Sequence, residues 1–292
     1  MIKHIRIVSP SGAIDPTYID GATARLRAWG YIVSEGAYAR ERWGRFAGTD
    51  DQRLTDLNQA LQDPTVDAIL CARGGYGLQR ILDRVAPVTK TIIGFSDITA
   101  LHQAAGIDHI PSLHSIMCKH IATLPEESEP LQALRKALAG EAIEYRWANH
   151  PLNRPGIAEA PIVGGNLSVL YGLQATPWAL GKLSYQFPIL LIEDISERHY
   201  HIDRMIRNLR MSGVLAHLSG LIVGQFSDCE DDELMGGTVY ETIKEAVADY
   251  DYPVLFNAPF GHVEHNLPLW LHRHASIDCS TDSILRLDGL QI

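Results

Sequence analysis

A serine stands between an apolar run and a helix-like segment in Thr91-Ile-Ile-Gly-Phe-Ser-Asp-Ile-Thr99. This is the layout of a nucleophile elbow, in which a tight turn between strand and helix exposes the serine hydroxyl. The segment departs from the G-x-S-x-G pattern because Asp97 and Ile98 follow the serine. Ser96 is therefore a candidate nucleophile, and a role as the N-cap of the following helix is an open alternative.

Adjacent glycines interrupt another apolar run, in Arg73-Gly-Gly-Tyr-Gly77. Glycine tolerates positive φ and lets backbone N–H groups approach a ligand closely. Gly74 and Gly75 can therefore supply donors to an oxyanion hole, and a tight turn from strand to helix is the alternative. The G-x-G-x-x-G fingerprint of dinucleotide binding is not matched.

Two carboxylates and a histidine add acid–base chemistry. Glu193 and Asp194 directly follow the apolar run 190–192. A carboxylate at a strand end can hold an imidazole in one tautomer and stabilise its charged form, or it can simply begin a turn or helix. His262 follows a glycine in the Pro- and Gly-containing loop 258–266, and a histidine is the usual general base for serine because its pKa lies near neutrality.

Other histidines and the cysteines do not predict a metal site. Three histidine pairs have short spacings but no complete ligand set: His199 with His201, His262 with His265, and His272 with His274. The four cysteines are far apart and lack CxxC spacing, which favours free buried thiols: Cys71, Cys118, Cys229 and Cys279. We therefore expect no metal and no cofactor.

The bulk composition excludes several kinds of partner. The chain has 292 residues, 46% of them hydrophobic, and a formal net charge of -10. This charge argues against nucleic acid and anionic membranes as main partners, because both require basic surface. The apolar runs are too short to span a bilayer, and no signal peptide is recognisable at the N-terminus. We therefore expect a cytoplasmic protein.

The first half of the chain alternates strand and helix patterns, and these elements must position the candidate residues. Strand patterns occupy residues 4–8, 31–33, 67–71 and 91–93, and helix patterns occupy residues 16–29, 54–61, 78–85 and 98–105. This alternation predicts an α/β fold whose parallel sheet has helices on both faces. Ligands in such sheets bind at the carboxyl ends of the strands, where the glycine-rich loops lie.

A change in composition divides the chain. Pro151, Pro155 and Gly156 lie among polar residues without sustained periodicity, so we interpret 146–160 as a linker. It separates a domain of residues 1–145 from a smaller domain of residues 161–292. The smaller domain has strand patterns at 189–192, 220–223 and 284–287, and helix patterns at 201–211 and 239–248.

Taken together, the motifs resemble the LD-carboxypeptidase family, the serine peptidases typified by muramoyltetrapeptide carboxypeptidase. The matching segments follow the family's order along nearly the whole chain: Ser9-Pro-Ser-Gly12, Cys71-Ala-Arg-Gly-Gly-Tyr-Gly77, Ile93-Gly-Phe-Ser-Asp97, His114, Gly164-Gly-Asn-Leu167, Leu191-Ile-Glu-Asp-Ile195, Tyr200-His-Ile-Asp-Arg204 and Gly261-His262. The resemblance implies a flavodoxin-like parallel-sheet N-terminal domain, a smaller C-terminal swivelling β/β/α-type domain, and a homodimer.

The resemblance also implies a catalytic triad. Ser96 attacks the peptide carbonyl, His262 accepts its proton and later donates one to the leaving amine, and Glu193 orients His262. The implied reaction is hydrolysis of the terminal L,D-peptide bond of muropeptide tetrapeptides. It releases D-alanine during cytoplasmic peptidoglycan recycling, and the partner of the protein is this small peptide.

Further residues follow from the same resemblance. The backbone N–H of Asp97, with that of Gly74 or Gly75, holds the oxyanion. His114 and Asn166 lie in family segments that line the cleft, and we treat both as candidate substrate contacts.

An exopeptidase must also recognise the free carboxylate of its substrate. Arginine suits this task because its guanidinium can form two parallel hydrogen bonds with a carboxylate. Arg73 and Arg204 are the candidates, and a structural salt bridge is the open alternative for each.

Two other functions are compatible with the sequence. A microcin-immunity-like peptidase would keep the triad and cleave an acylated nucleotide antibiotic, which Trp178 or Trp270 could stack against, although core packing is favoured for both. A non-catalytic cleft-binding protein is the third reading, and the joint presence of serine, glutamate and histidine argues against it.

Overall fold

The computed structural model describes residues 2–289, which divide into two compact units. The N-terminal unit holds the described residues up to Glu141, with Leu267–Trp270 and Gly289. The C-terminal unit holds Ala142–Asn266 and Leu271–Asp288. None of the helices in this described part is both long and apolar enough to cross a membrane.

The regular elements are given in chain order. The strands are β1 (His4–Val8), β2 (Ile32–Glu35), β3 (Ala68–Cys71), β4 (Thr91–Gly94), β5 (Ser112–His114), β6 (Ile143–Trp147), β7 (Ile157–Asn166), β8 (Ile189–Ile195), β9 (Gly220–Ser227), β10 (Val254–Leu255), β11 (Leu269–Leu271), β12 (His274–Asp278) and β13 (Ser283–Leu287). The helices are α1 (Pro16–Ala28), α2 (Asp50–Gln62), α3 (Thr99–Ile107), α4 (Cys118–Thr123), α5 (Glu129–Ala139), α6 (Leu167–Gly172), α7 (His199–Met211) and α8 (Val239–Ala246).

The sheet of the N-terminal unit has the strand order β11-β5-β4-β3-β1-β2. The pairs β1–β2, β1–β3, β3–β4 and β4–β5 are parallel. The order 2-1-3-4-5 is the flavodoxin-like doubly wound order, in which ligands bind outside the carboxyl ends of the strands where the order reverses. Here that point lies between β1 and β3. The predicted flavodoxin-like parallel sheet is confirmed.

One predicted helix of this unit takes a different form. Residues 78–85 form two short 3-10 turns, Leu78–Arg80 and Leu82–Arg84. Their backbone bonds span three residues, since the N–H of Ile81 donates to Leu78 and that of Arg84 donates to Ile81. The 3-10 geometry is tighter than the α-helix and is used in short pieces, so the apolar period alone misidentified the helix type.

The sheet of the C-terminal unit is mixed, with the order β10-β9-β8-β7-β12-β13-β6. Strands β7 to β10 are parallel to one another, whereas β7–β12, β12–β13 and β13–β6 are antiparallel pairs. Apolar residues of α6, α7 and α8 form one core with residues of strands β7 to β10. The helices cover one face of these strands, and β8 and β9 have buried residues on both faces, which explains their nearly continuous apolar runs.

The division into units differs from the predicted boundaries in two places. The segment 146–160, interpreted as a linker, holds the end of β6 and the beginning of β7. Pro155 and Gly156 precede β7, and exposed and buried residues alternate along its first half, so the polar half of the strand resembles a loop in sequence. In addition, Leu267–Trp270 belongs to the N-terminal unit, where β11 lies at the sheet edge beside β5.

A glycine in β7 gives a stability test for the C-terminal unit. Gly164 has a φ of 116°, and a Cβ there would lie 2.1 Å from the carbonyl oxygen of Leu191. We expect Gly164→Ala to lower the free energy of unfolding by about 3 kcal/mol, because the backbone is strained and must also shift. Urea denaturation measures the change.

Gly181→Ala is the matched control for this substitution. A Cβ on Gly181 would meet its nearest atom, in Val214, only at 4.0 Å. Gly181→Ala should change the free energy of unfolding by no more than about 0.5 kcal/mol. Equal stability of the two variants would contradict the argument from backbone crowding.

Candidate active site

The Ser96 turn has the geometry of a nucleophile elbow. Ser96 follows β4 by two residues and begins a 3-10 turn, Ser96–Ile98, that leads into α3. Its φ of 67° lies in the left-handed region, which non-glycine residues rarely occupy and which carries strain. No side-chain capping bond begins either the 3-10 turn or α3. The side chain therefore does not serve as the helix cap that the sequence left open.

The glycine loop packs directly against this turn. A Cβ on Gly74 would lie 2.8 Å from the Cβ of Ser96 and 3.0 Å from its Oγ, so this position has room only for a glycine. Gly75 is exposed and has a φ of 98°. The structure thus brings Gly74, one of the two glycines predicted to form an oxyanion hole, against Ser96, and Gly75 follows it directly in the chain.

The side chain of Asp97 is buried behind the same turn. Its carboxylate accepts hydrogen bonds from the hydroxyl of Ser11 at 2.6 Å and the backbone N–H of Leu78 at 2.9 Å. Burial raises the pKa of Asp97, while these bonds and the charge of Arg53 act in the opposite direction. Ser11 and Arg53 carry no local signal of this role, because Ser11 lies 86 residues from its partner.

In the C-terminal unit, a buried glutamate holds a histidine. Glu193 lies in β8 with its side chain fully buried, and its Oε2 is 2.7 Å from Nδ1 of His262, whose side chain is 15% exposed. An ionised carboxylate can only accept, so Nδ1 donates the hydrogen bond and Nε2 is the basic nitrogen of the ring. This is the arrangement by which a carboxylate sets the tautomer of a general base.

The electrostatics of this pair stabilise the charged form of the imidazole relative to that of a free histidine. Burial by itself lowers the pKa of His262, but the hydrogen bond and charge of Glu193, with the charge of Asp194, outweigh it and raise the pKa. A ring whose charged form is stabilised in this way is suited to accept a proton during a reaction.

The loop of His262 is fixed by hydrogen bonds to neighbouring backbone. The hydroxyl of Ser227 donates to the carbonyl of His262 at 2.9 Å, and the N–H of Gln225 donates to Phe260 at 2.9 Å. The N–H of Gly261 donates to Oδ1 of Asn266 at 3.0 Å. Because Ser227 and Gln225 lie in β9 beside β8, the strand pairing holds the histidine loop close to Glu193.

Asp194 and Asn166 form a second buried polar network in this unit. The carboxylate of Asp194 accepts from the side-chain amide of Asn166 at 2.9 Å and from the N–H of Ser168 at 2.7 Å. Burial and the charge of Glu193 raise the pKa of Asp194 to about 7, although these hydrogen bonds oppose the rise. Asn166 also caps α6 by accepting from Val169. The structure gives Asn166 this supporting role, and its predicted contact with substrate stays a prediction.

Two other residues singled out in the sequence lie in the interior. His114, at the end of β5, is fully buried, and its ring centroid is 5.7 Å from that of Phe95. Its substrate contact also stays a prediction. Trp270 is 2% exposed, which matches the core packing favoured for it, and Trp178 is half-buried.

The two candidate arginines have different surroundings. Arg73 is exposed, and its guanidinium donates to the carbonyl of Ala13 at 2.6 Å. Arg204 is exposed on α7, with its guanidinium 5.6 Å from the ring centroid of Tyr200. A structural salt bridge was the open alternative for each arginine. In the part of the chain that the structure describes, neither guanidinium has a carboxylate within 4.0 Å.

The residues from 2 to 289 contain no group of three or more histidine, cysteine or acidic side chains placed to hold a metal ion. The four cysteines are free thiols.

Comparison with protein families finds two matching models. Residues 5–115 match the LD-carboxypeptidase N-terminal domain, and residues 159–277 match the LD-carboxypeptidase C-terminal domain. A Synechocystis protein named as a carboxypeptidase is 34% identical, with 94% of this chain and 91% of the relative aligned. The murein tetrapeptide carboxypeptidase of Pseudomonas aeruginosa is 28% identical, with 90% of this chain and 89% of the relative aligned.

Solved structures agree with these matches. The muramoyltetrapeptide carboxypeptidase of Oxalobacter formigenes superposes with a TM-score of 0.88 at 25% identity, covering 99% of this chain and 100% of that chain. The microcin self-immunity protein MccF superposes with a TM-score of 0.84 at 19% identity, covering 99% of this chain and 97% of that one. At that identity the second likeness shows a common fold alone.

The Glu193–His262 pair can be tested without a substrate. We expect Glu193→Gln to lower the pKa of the His262 ring, because burial then acts without the opposing bond and charge of a carboxylate. Titration of the ring by NMR measures the shift. The raised pKa also means that the pair stabilises the fold below the ordinary histidine pKa and loses this contribution as pH rises through the folded pKa. The decrease in the free energy of unfolding that Glu193→Gln causes should therefore be larger in acid than in alkali.

Glu197→Gln is the control for this titration. Glu197 also contacts a histidine, since its carboxylate lies 3.0 Å from Nδ1 of His201 in a partly exposed pair. Its substitution should leave the His262 titration unchanged. A pKa of His262 that stays the same or rises in Glu193→Gln would contradict the assigned cause.

Proposed function

Because this chain belongs to the LD-carboxypeptidase family, we propose that it is a serine carboxypeptidase that removes D-alanine from muropeptide tetrapeptides. The bond hydrolysed is the terminal L,D-peptide bond, and the role is in peptidoglycan recycling. Membership of the family confirms the predicted enzyme class. The relatives from P. aeruginosa and O. formigenes, both named for tetrapeptide cleavage, support the choice of substrate. A cytoplasmic location and a homodimer stay predictions.

The observation that carries the proposal is the hydrogen bond of 2.7 Å between buried Glu193 and His262. A carboxylate removed from water and bonded to a partly exposed imidazole is the second half of a serine peptidase triad. Ser96, on a strained turn at the end of β4, supplies the nucleophile in the proposal.

In the proposed mechanism, Ser96 Oγ attacks the carbonyl carbon of the scissile bond while Nε2 of His262 takes its proton. Backbone N–H groups of Asp97 and of Gly74 or Gly75 hold the oxyanion of the tetrahedral intermediate. The C–N bond then breaks, and His262 returns the proton to the amine of departing D-alanine. A water molecule, activated by the same ring, hydrolyses the acyl-enzyme.

Recognition of the free carboxylate is assigned to Arg73. This residue precedes Gly74, which packs on Ser96, and its bond to the carbonyl of Ala13 holds the guanidinium at the surface. A carboxylate that binds there stays close to the reacting bond, as an exopeptidase requires. Arg204 lies on α7 over Tyr200, and we retain it as the competing candidate.

The nucleophile is tested by Ser96→Ala. We expect the rate of D-alanine release from a muropeptide tetrapeptide to fall by roughly 10³-fold or more, because attack by the hydroxyl is lost. An assay coupled to a D-amino acid oxidase measures the release. Ser280→Ala, in an exposed turn after β12, should keep wild-type activity. A Ser96→Ala enzyme that also kept it would remove Ser96 from the mechanism.

The carboxylate contact is tested by Arg73→Met. We expect the KM for the tetrapeptide to rise about tenfold or more, the cost of a lost charged hydrogen bond. The preference of the wild type for a free carboxylate over its C-terminal amide should shrink in the same variant. Steady-state kinetics on the acid and the amide measure both effects. If Arg204→Met raised the KM and reduced this preference while Arg73→Met did not, the carboxylate site would lie on α7 instead.

A further inference from the structure

Three loops leave the carboxyl ends of neighbouring strands in the N-terminal unit. Residues 9–12 follow β1, residues 72–77 follow β3 and residues 95–98 follow β4. Loops have no ladder of hydrogen bonds to hold them, so their positions depend on specific bonds from side chains and neighbouring backbone. One such bond joins the first two loops directly, from the N–H of Gly12 to the carbonyl of Gly74 at 3.0 Å.

The carboxylate of Asp97 binds donors from the other two loops. It accepts from the hydroxyl of Ser11 at 2.6 Å and from the N–H of Leu78, which directly follows residues 72–77, at 2.9 Å. Asp97 is 3% exposed. Hydrogen bonds to a charged acceptor are about twice as strong as neutral ones, so this residue ties its own loop to both neighbours.

The guanidinium of Arg53 binds acceptors from the same two loops. Arg53 lies on α2 and is fully buried, and its Nη1 donates to the carbonyl of Pro10 and, at 2.9 Å, to that of Gly77. Its Nη2 pairs with Asp50. The two buried charges therefore bind complementary groups. Arg53 donates to backbone carbonyls, and Asp97 accepts from N–H and O–H groups.

We propose that Asp97 and Arg53 are a positioning pair that holds the glycine loop, residues 74–77, at a fixed distance from the Ser96 turn. The inference rests on the proposed function, because the distance matters through the oxyanion hole. Asp97 supplies one N–H of that hole, and its own carboxylate holds the loop that supplies the other. The two donors are thus linked through a single residue rather than through two independent loops.

The pair should act on the transition state more than on the bound substrate. Oxyanion donors contribute when they lie 2.7–3.1 Å from the position that the negative oxygen will occupy, and small displacements of catalytic groups slow a reaction strongly. Substrate affinity is set elsewhere, by contacts such as the carboxylate site. Loss of the pair should therefore lower kcat while KM stays nearly constant.

The test is Asp97→Asn in the full chain. We expect kcat for D-alanine release to fall by about 10- to 100-fold, with KM within about twofold of wild type. Affinity for a peptide boronate, which mimics the tetrahedral intermediate, should fall in parallel with kcat/KM. Ser11→Ala removes one of the donors and should give a smaller fall of the same kind.

A second readout does not depend on the substrate. A fluorophosphonate reacts with an activated serine through a pentacoordinate transition state in which the phosphoryl oxygen carries negative charge, so its labelling of Ser96 should also slow in Asp97→Asn. A wild type that is labelled but releases no D-alanine would refute the proposed substrate, and the labelling rates would still decide the positioning role.

Asp67→Asn is the matched control. Asp67 also accepts two backbone N–H groups, those of Lys3 at 2.8 Å and His4 at 2.9 Å, but it precedes β3 and so lies at the amino ends of the strands. Its substitution should leave kcat and the labelling rate unchanged. Wild-type labelling and kcat in folded Asp97→Asn would overturn the proposal. Should Asp97→Asn not fold, wild-type values in Ser11→Ala would do the same.

Discussion

Parallel strands bring their carboxyl ends to the same edge of a sheet, and this constraint organises the candidate catalytic residues of each unit. In the N-terminal unit, Gly74 follows β3 and Ser96 follows β4, so a strand pairing fixes how close the two loops can be. In the C-terminal unit, Glu193 lies in the last part of β8, next to β9. The positions of these candidate residues within each unit therefore depend on the backbone ladders of the strands that carry or precede them.

Burial of carboxylates is the second physical theme. Asp97, Glu193 and Asp194 are all nearly inaccessible to water, and burial of a charge is costly unless hydrogen bonds or an opposite charge compensate it. The groups that compensate the burial differ among the three carboxylates. Asp97 has hydroxyl and N–H donors with Arg53 nearby, Glu193 has the imidazole of His262, and Asp194 has amide and N–H donors but still shows a pKa near 7.

These differences correspond to different roles. The partner of Glu193 is a titratable ring that is still partly exposed, so its bond couples to proton transfer. The partners of Asp97 and Asp194 include N–H, hydroxyl and amide groups that do not titrate in the physiological range, so these carboxylates define loop and helix positions. The fold is shared with the microcin immunity protein, and a common fold does not by itself specify a substrate.

Local patterns in the sequence determined much of the framework. The strands β3, β4 and β8 contain short apolar runs because their residues are buried on both faces of the sheet, and such runs are recognisable without a structure. The serine at the end of β4, the paired glycines and the glycine before His262 were also visible, and their order along the chain was sufficient to identify the family.

Tertiary structure decided what depends on partners distant in sequence. The bond between Glu193 and His262 spans 69 residues and that between Ser11 and Asp97 spans 86, and no local period encodes such pairs. The same reason explains the burial of His114, the bond between Asn166 and Asp194, and the polar half of β7, whose partner β12 comes more than a hundred residues later. The sequence by itself determined which residues have the chemistry, whereas packing decided which of them are held, buried or paired.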